Sequence, residues 1–483
     1  MLHEQLVLFI GSNAMRSAAA VSVMLTIASC MLANELPNVQ NKIPRFEDFD
    51  RKRKLSGLIP NREELMKRPR VIIGYLSEKD WAITEFLCFM HASWRYVTSL
   101  AEPTGYRLDL MVFSDLHWFR DVASLCEPLT LVDVIADEKG EAEADGSEGG
   151  SNSKGSVSHL QGGGAVGLVG GRHGGGTGEY PQLRRQGNKS TCWVVPYPPP
   201  PESVWQGYPF VASYHFLADP RVAHLLTSNF GYALKTDFDC FVTPTLIQHF
   251  PWQLEVGYMH YTPVLETKQR LQRVAAGLGL RHRGHHDIGP TWYGDVATLI
   301  AVANASIPLV YHLLDREFGG EPDGSWRRKW AAGEGWPLWS KDMAVMYATD
   351  LVLNHLVETF HISQKYDVHG DSQRYTFTLY HIHCQHGDGN FSKFEFFMHK
   401  YRDRDITVGL DFNRVRDYSL VLSVATWRQL AAGKIGAQAN GSIITKAGKG
   451  PVCAENGGGD VRGPDGGGGG DSADAGIAQE GAG

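Results

Sequence analysis

Residues 232–244, YALKTDFDCFVTP, place two aspartates directly after a short apolar strand. Asp237 and Asp239 are two positions apart, so on an extended backbone their side chains face the same side. In open α/β sheets the carboxyl ends of the strands form the edge that binds ligands. Two carboxylates at such an edge suit Mg²⁺ or Mn²⁺ held together with substrate phosphates. The alternative is a strand end that carries two solvated aspartates.

The segments before this stretch alternate between apolar runs and helical patterns. Apolar runs at 71–76, 108–113 and 131–136 predict strands, and apolar residues at helical spacing over 83–97 and 118–125 predict helices between them. Strands that alternate with helices are typical of a parallel α/β sheet with right-handed crossovers. The predicted fold class is therefore α/β.

Two glycine-rich stretches interrupt and end this pattern. Residues 137–190 and 433–483 together hold 33 of the 54 glycines and few large apolar side chains, so we expect both the insert and the tail to be disordered. The globular domain is then expected over 70–432, with the insert inside it. Cys126 and Cys192 flank the insert and are a possible disulfide pair, which the sequence alone leaves open.

Charge and cysteine usage argue against three classes of protein. The formal net charge is −7, which argues against nucleic acid as a partner, because phosphate backbones are bound by clustered Lys and Arg. Seven cysteines in 483 residues are ordinary usage, and none forms a CxxC pair. The sequence therefore predicts neither a disulfide scaffold nor a zinc ribbon.

The N-terminal segment predicts entry into the secretory pathway. Residues 1–36 contain an uncharged apolar run, 17–33, which fits a cleaved signal peptide or a short signal anchor that would hold the chain on a membrane. Residues 37–69 are polar and are expected to form a stem or linker. Four Asn-x-Ser sequons fit the Golgi or the ER lumen, with secretion as the alternative. They begin at Asn188, Asn304, Asn390 and Asn440.

The stretch 232–244 resembles the DxD strand of glycosyltransferases that use nucleotide-diphospho-sugars and have the GT-A fold. Their pattern is roughly hydrophobic-x-x-D-x-D-x-hydrophobic-x-x-P, and the strand and helix order before the stretch is also similar. The resemblance covers about 70–136 and 205–260 and is looser from there to 430. It implies a GT-A-like (Rossmann-like) mixed sheet, mostly parallel and flanked by helices. It also implies a UDP- or GDP-sugar as donor and a hydroxyl of a glycan, protein or lipid as acceptor.

The same resemblance implies roles for individual residues. Asp239 would bind Mn²⁺ or Mg²⁺, and Asp237 would contact the nucleotide ribose or the ion through water. Gly74 and Tyr75, at the end of the first strand, would lie near the nucleotide base.

A histidine-rich segment follows late in the chain. Residues 375–383 alternate as a strand would, which places His381 and His383 on one face. The run HIHCQHGDGNFSK at 381–393 is similar to the late histidine, glycine-containing loop and lysine of GT-A enzymes. By that likeness His383 or His386 would bind the metal and Lys393 would meet the diphosphate. If the ion is shared, Asp239 and one of these histidines should lie within about 5 Å of each other.

Two other readings of the histidine segment stay open. His381, His383 and His386, together with Asp388, are also a candidate for a self-contained transition-metal site, which would make the protein a metal-dependent hydrolase. The other reading is a polar strand end whose histidines form local hydrogen bonds. For the protein as a whole, a non-catalytic GT-A-like binding module is a further alternative. The histidines at 282, 285 and 286 are expected to be solvated loop residues.

Two further segments are candidates for the acceptor side. Trp292 and Tyr293 precede an apolar helix expected over 296–314, and by the resemblance they would contact the acceptor or the donor sugar. Asp350 lies on the apolar face of a second expected helix, with Asn354 one turn later. A carboxylate in an apolar stripe is costly unless it is paired or functional. By the resemblance Asp350 would be the catalytic residue, in an inverting or a retaining reaction. The alternative is that it is paired structurally.

Overall fold

The structure, a computed structural model, describes residues 59, 61–102, 105–131, 183, 189–199, 208–318, 338–384 and 391–432. The predicted signal segment, most of the predicted stem, nearly all of the glycine-rich insert and the whole tail lie outside the described residues.

The described residues form eleven strands, and helices connect most of them. The strands are β1 Arg70–Leu76, β2 Leu108–Ser114, β3 Glu127–Pro128, β4 Cys192–Pro196, β5 Tyr232–Lys235, β6 Cys240–Val242, β7 Leu254–Tyr258, β8 Ile288–Asp295, β9 Phe360–Ser363, β10 Val368–His369 and β11 His381–His383. The α-helices are α1 Arg62–Lys67, α2 Asp80–Glu85, α3 Ala92–Ala101, α4 Leu116–Ala123, α5 Ala212–Ala218, α6 Pro220–Asn229, α7 Leu265–Gly277, α8 Val296–His312, α9 Ala344–Leu356, α10 Lys393–Phe397 and α11 Val415–Ala431. A π-helical segment, Phe86–His91, joins α2 to α3.

Eight of the strands form one mixed sheet in the order β3-β4-β2-β1-β5-β8-β7-β9. Every neighbouring pair is parallel except the two pairs that include β8, so β8 alone runs against the others. The predicted α/β class, with a mostly parallel mixed sheet between helices, is confirmed. Because the chain adds β2 and β4 on one side of β1 and returns to β5 on the other, the strand order reverses between β1 and β5.

Both faces of the central strands are buried, which explains why β1, β2, β4 and β5 are mostly apolar. In β1, Ile72 and Leu76 belong to one apolar core, whereas Val71 and Ile73 belong to the other, as the period-two alternation of a strand requires. Helices α2 to α4 and α11 cover the first face. Helices α5 to α9 cover the second.

A second sheet of three short strands, in the order β10-β11-β6, lies beside the first. Strand β6 follows directly after the Asp237–Asp239 segment and pairs antiparallel with β11, so that Cys240 is opposite His383. The predicted strand over 375–383 is only partly correct, because Thr376–Thr378 form a 3₁₀ turn and the strand itself is limited to His381–His383. The small sheet thus carries the histidines to the aspartate segment.

The strand next to β2 comes from after the insert, not from before it. The expected strand at 131–136 is not seen: Leu131 is helical, and the rest lies outside the described residues. Strand β4 takes the place beside β2 instead. Cys126 and Cys192 form a disulfide that closes the base of the insert, so the open question of their pairing is settled in favour of a bridge.

The folded unit begins before residue 70, where the sequence suggested a stem. Ile59 donates its backbone N–H to the Trp252 carbonyl, and the Arg62 guanidinium bonds the Phe250 carbonyl and stacks on the Trp252 ring. Among the described residues one helical stretch, Val296–Glu317, is long and apolar enough to cross a membrane. Half of it is buried inside the protein, which is equally typical of a core helix.

Candidate functional site

The aspartate segment lies where the strand order reverses, at the carboxyl ends of β1 and β5. Open α/β sheets form their ligand crevice at such a point, because the loops that follow the two strands leave in opposite directions. A Cβ added to Gly74 in β1 would be 2.8 Å from both the Phe238 ring and the Thr236 carbonyl oxygen. Glycine at position 74 therefore lets the segment that carries Asp237 and Asp239 lie directly against β1.

Asp239 contacts two side chains from later in the sequence, the imidazole of His383 and the ammonium of Lys393. Its Oδ1 is 3.2 Å from His383 Nε2, and its Oδ2 accepts a 2.6 Å hydrogen bond from Lys393 Nζ. Burial favours the neutral acid, but His383 and Lys393 outweigh it and hold the pKa of Asp239 well below its usual range. The predicted proximity of Asp239 to a histidine is therefore present. That the two residues bind a metal stays a prediction.

His383 is held from its other side by Asp367, which precedes β10. The His383 Nδ1 is 3.6 Å from Asp367 Oδ1, and the same oxygen accepts a 2.6 Å bond from the Thr291 hydroxyl. Burial alone would lower the pKa of His383, but the Asp239 and Asp367 carboxylates raise it to about 10. A histidine with one nitrogen toward a ligand position and the other toward a carboxylate is the arrangement that orients metal-binding histidines.

Two glycines make room for the Asp367 carboxylate. A Cβ on Gly257 in β7 or on Gly289 in β8 would overlap Asp367 Oδ2. Asp367 itself has a φ of 53°, a left-handed conformation that Asp tolerates better than most residues. The sequence analysis did not identify Asp367. The glycines at 257 and 289, in two adjacent strands, were an available signal, since glycine inside a strand often marks the close approach of another group.

Asp237 and Tyr75 are near this point but in different environments. The Asp237 side chain is 40% exposed and lies 3.9 Å from the buried Lys235 ammonium, so the two aspartates of the segment are not equivalent. Tyr75 is in β1, and its buried hydroxyl has no hydrogen-bond partner among the described residues. Burial, followed by Asp115, raises the pKa of that hydroxyl, so it stays protonated.

Glu85, the last residue of α2, is a further carboxyl group near Asp239, and the sequence analysis did not identify it. It is buried, and its Oε1 is 3.4 Å from Lys393 Nζ. Burial, and after it the negative charge of Asp239, raise the pKa of Glu85 well above its usual range against the pull of Lys393. In the helical pattern of this segment Glu85 is one of several polar residues, so its position alone does not mark it as part of a site.

Cys240 completes a group of possible ligands with Asp239 and His383, whose nearest ligand atoms lie within 4.8 Å of one another. Its thiol donates to Asp239 Oδ1 at 3.7 Å. Burial, and then Asp239, raise the pKa of the thiol well above its ordinary value, and because metals bind the thiolate, Cys240 is a weak ligand. His381 has both ring nitrogens engaged, with the Thr236 hydroxyl and with Asp367.

Asp350 occupies a separate, closed cluster. It is fully buried on α9, and its oxygens accept bonds from Tyr261 at 2.8 Å and from Asn354 at 3.1 Å. His282 and His286 contact the same carboxylate at 2.7 and 3.2 Å. Four donors fill the acceptor positions of a carboxylate. The structure therefore gives Asp350 the paired environment that the sequence held open as the alternative to catalysis.

The histidines at 282 and 286 are not solvated loop residues, so that expectation is wrong. Because His282 Nδ1 accepts the Gly284 N–H, the His282 proton is on Nε2, which faces Asp350. Asp350 explains their burial: two imidazole donors satisfy a carboxylate that could not otherwise be placed in an apolar interior. The sequence pattern RHRGHHD gave no sign of this partner, since it lies far along the chain.

The remaining predicted acceptor residues are also in the interior. Asn354 is buried and bonds Asp350 and the backbone of the loop at 283–285. Trp292 and Tyr293 lie inside β8, not at a helix start, and face opposite cores of the sheet. The helices expected at 296–314 and around Asp350 are confirmed as α8 and α9. His386 and Asp388 lie outside the described residues.

Comparison with known proteins adds a family but no activity. No curated protein and no solved structure matches the chain. A family model described as a domain of unknown function (DUF7164) matches residues 179–428, a range that includes Asp239, Asp367, His383 and Lys393. More than half of the chain is covered, and the protein therefore belongs to this DUF7164 family.

Proposed function

We propose that the protein is a metal-dependent glycosyltransferase that moves a sugar from a nucleoside-diphosphate donor to a hydroxyl acceptor. The observation that carries the proposal is the position of Asp239. Its carboxylate lies at the reversal point of the sheet, 3.2 Å from His383 Nε2 and 2.6 Å from Lys393 Nζ. One carboxylate, one imidazole and one ammonium at that edge suit a divalent cation and a diphosphate together.

The residues present fit Mn²⁺ or Mg²⁺. Asp239 offers a hard oxygen, and His383 would offer a nitrogen once the cation replaces its proton. Mn²⁺ accepts such a mixed set readily, and Mg²⁺ accepts it with retained waters. Asp367 would fix the orientation of His383, and Thr291 would fix Asp367. The half-exposed Asp237 would reach the ion through water or the nucleotide ribose. The cation would offset the charge that builds on the departing diphosphate.

The donor nucleotide would lie along the ends of β1 and β5. Tyr75, with its unpartnered buried hydroxyl, is the candidate for contact with the base or ribose. Lys393 is the candidate for the diphosphate, because an ammonium on a flexible stem meets phosphate oxygens as a point charge. Asp350 has no free acceptor position and no exposed surface, so it is not part of the proposed reaction centre.

One combined site is favoured over a separate histidine site. His383 contacts Asp239 directly, and His381 uses both nitrogens within the protein. A hydrolase built on the histidines alone would not need Asp239. We further propose that the protein works in the secretory pathway, in the Golgi or ER lumen. The Cys126–Cys192 disulfide supports this proposal, since such bonds persist in oxidising compartments.

The proposal is tested by incubating the purified full chain with a panel of UDP- and GDP-sugars and Mn²⁺, and measuring the nucleoside diphosphate released. Release that needs one particular donor, needs the metal, and is lost in Asp239→Ala is the expected result. A clean Asp239→Ala preparation that releases as much as the wild type would overturn the proposal. Release that survives Asp239→Ala but is lost in His383→Ala would favour the hydrolase.

A further inference from the structure

The Lys393 ammonium lies between two carboxyl groups. Its Nζ is 2.6 Å from Asp239 Oδ2 and 3.4 Å from Glu85 Oε1. The bond to Asp239 is a short charge-assisted hydrogen bond, whereas the Glu85 oxygen is within ion-pair distance but accepts no hydrogen bond among the described residues. In this arrangement the Lys393 ammonium is hydrogen-bonded to Asp239. The Glu85 oxygen, at ion-pair distance, is a second acceptor next to it.

A divalent cation and Lys393 would compete for the same carboxylate. Lys393 neutralises Asp239 from one oxygen, and a cation on Asp239 would place two like charges within a few ångströms in a buried site. Such repulsion is costly where water is excluded. The Lys393 side chain is 15% exposed, so the ammonium cannot simply be transferred to bulk water without moving its stem. Among the described residues, the other carboxyl group within ion-pair distance of Lys393 is Glu85, on α2.

We propose that Glu85 is a positioning residue for Lys393: it receives the ammonium when a cation binds Asp239, and holds it at the site for the donor diphosphate. This inference rests on the metal site of the proposed function. By this proposal, the Lys393 ammonium moves from Asp239 to Glu85 whenever a cation binds Asp239, so the two events are coupled. Without Glu85, the ammonium stays on Asp239 and opposes the cation.

The inference is tested by Mn²⁺ binding to the full chain without nucleotide, measured by calorimetry or by the electron paramagnetic resonance signal of free Mn²⁺. Lys393→Met should bind Mn²⁺ about 10-fold more tightly than the wild type, since the competing charge is gone. Glu85→Gln should bind about 10-fold more weakly, as is typical when a group that orients a metal site is lost. In the double variant the Glu85→Gln effect should disappear, because there is no ammonium left to receive.

Two results would overturn the inference while leaving the metal site intact. One is Lys393→Met binding no tighter than the wild type while Asp239→Asn abolishes binding. The other is Glu85→Gln weakening Mn²⁺ equally with and without Lys393, which would mean that Glu85 acts on the cation directly. Mn²⁺ binding by Asp239→Asn at wild-type affinity would instead overturn the proposed function. Glu85 is buried, so Glu85→Asp, which keeps the acid but shortens its reach, is the second variant. Weaker Mn²⁺ binding that disappears together with Lys393 supports the inference, and wild-type binding overturns it.

Discussion

His383 Nε2 lies 3.2 Å from Asp239 Oδ1; His383 ends β11, and Asp239 is the residue directly before β6, the strand that pairs with β11. Pairing of β6 with β11 sets this distance, because Cys240, the residue after Asp239, is in register with His383. The contact is thus built by backbone hydrogen bonds and not by side chains alone. It gives the aspartate segment a nitrogen donor from near the end of the folded unit.

Replacement of Asp239 by asparagine should remove metal-dependent nucleotide binding and leave the fold intact. The change keeps the shape of the side chain but takes away the negative charge that His383 and Lys393 share. Calorimetric titration of UDP and GDP in Mn²⁺ measures the effect. Asp403→Asn, at an exposed position, is the matched control and should bind as the wild type does. Equal loss in both variants would show that the effect is not specific to the site.

Replacement of Gly257 by alanine should weaken the proposed metal site by displacing Asp367, which contacts His383. The new Cβ would overlap the Asp367 carboxylate, which then could not hold His383. We expect a stability loss of about 1–3 kcal/mol and weaker Mn²⁺ binding. Gly277→Ala is the control, because a Cβ there meets nothing within 4 Å and the helix end should gain slightly. Unchanged Mn²⁺ affinity in Gly257→Ala would contradict the supporting role of Asp367.

Replacement of Asp350 by asparagine should lower the free energy of unfolding and leave nucleotide binding unchanged. An amide donor would then face donors that Asp350 now satisfies, and a buried donor left without its acceptor costs about 1–3 kcal/mol. Urea unfolding measures this, with the exposed Asp315→Asn expected to change little. Nucleotide binding should persist at a temperature where the variant is folded. Full stability with lost activity would restore Asp350 as the catalytic residue.

Removal of the disulfide should be costly, because it closes a long loop. Cys126 and Cys192 are separated by 66 residues. The chain-entropy relation gives a stabilisation of about 4 kcal/mol for a loop of that size. The double serine variant should therefore unfold at clearly lower urea concentration than the oxidised wild type. Identical unfolding of the two proteins would mean that the insert adds no entropy to the reduced unfolded chain.

The fold should lose stability in acid partly through His91. Burial, and then the charge of Arg95, lower the pKa of His91 to about 3, whereas an unfolded histidine titrates near about 6.5. Between these values the unfolded state binds a proton that the folded state does not. Stability due to this residue is therefore complete above about pH 6.5 and falls by about 1.4 kcal/mol per pH unit below it. His91→Phe should show a shallower decline in melting temperature over that range, and an equally steep decline would contradict the assignment.

Local sequence patterns were enough for the elements and for one end of the site. Alternation and helical spacing identified β1, β2, α8 and α9, and the aspartates after an apolar strand identified the segment at the sheet edge. They failed where partners are distant in the sequence. Glu85, Asp367 and the histidines that surround Asp350 are single polar residues, and only tertiary packing shows which carboxylate or imidazole each one meets.

The strand beside β2 was not predicted. Residues 192–196 are a short apolar run after the glycine-rich insert, and no local signal assigned them to the sheet. In the structure a disulfide ties Cys192 at the start of β4 to Cys126 just after α4. Such a long-range covalent link is not contained in a local strand pattern.

The melting temperature of the full chain with nucleoside diphosphates, with and without Mn²⁺, tests for a donor site at Asp239. A ligand at about 100 times its dissociation constant stabilises a protein by about 2.7 kcal/mol, which is visible as a melting shift. We expect a shift that needs both Mn²⁺ and one particular nucleotide and that is absent in Asp239→Asn. No shift with any nucleotide, or an equal shift in Asp239→Asn, would contradict a donor site at the Asp239 edge of the sheet.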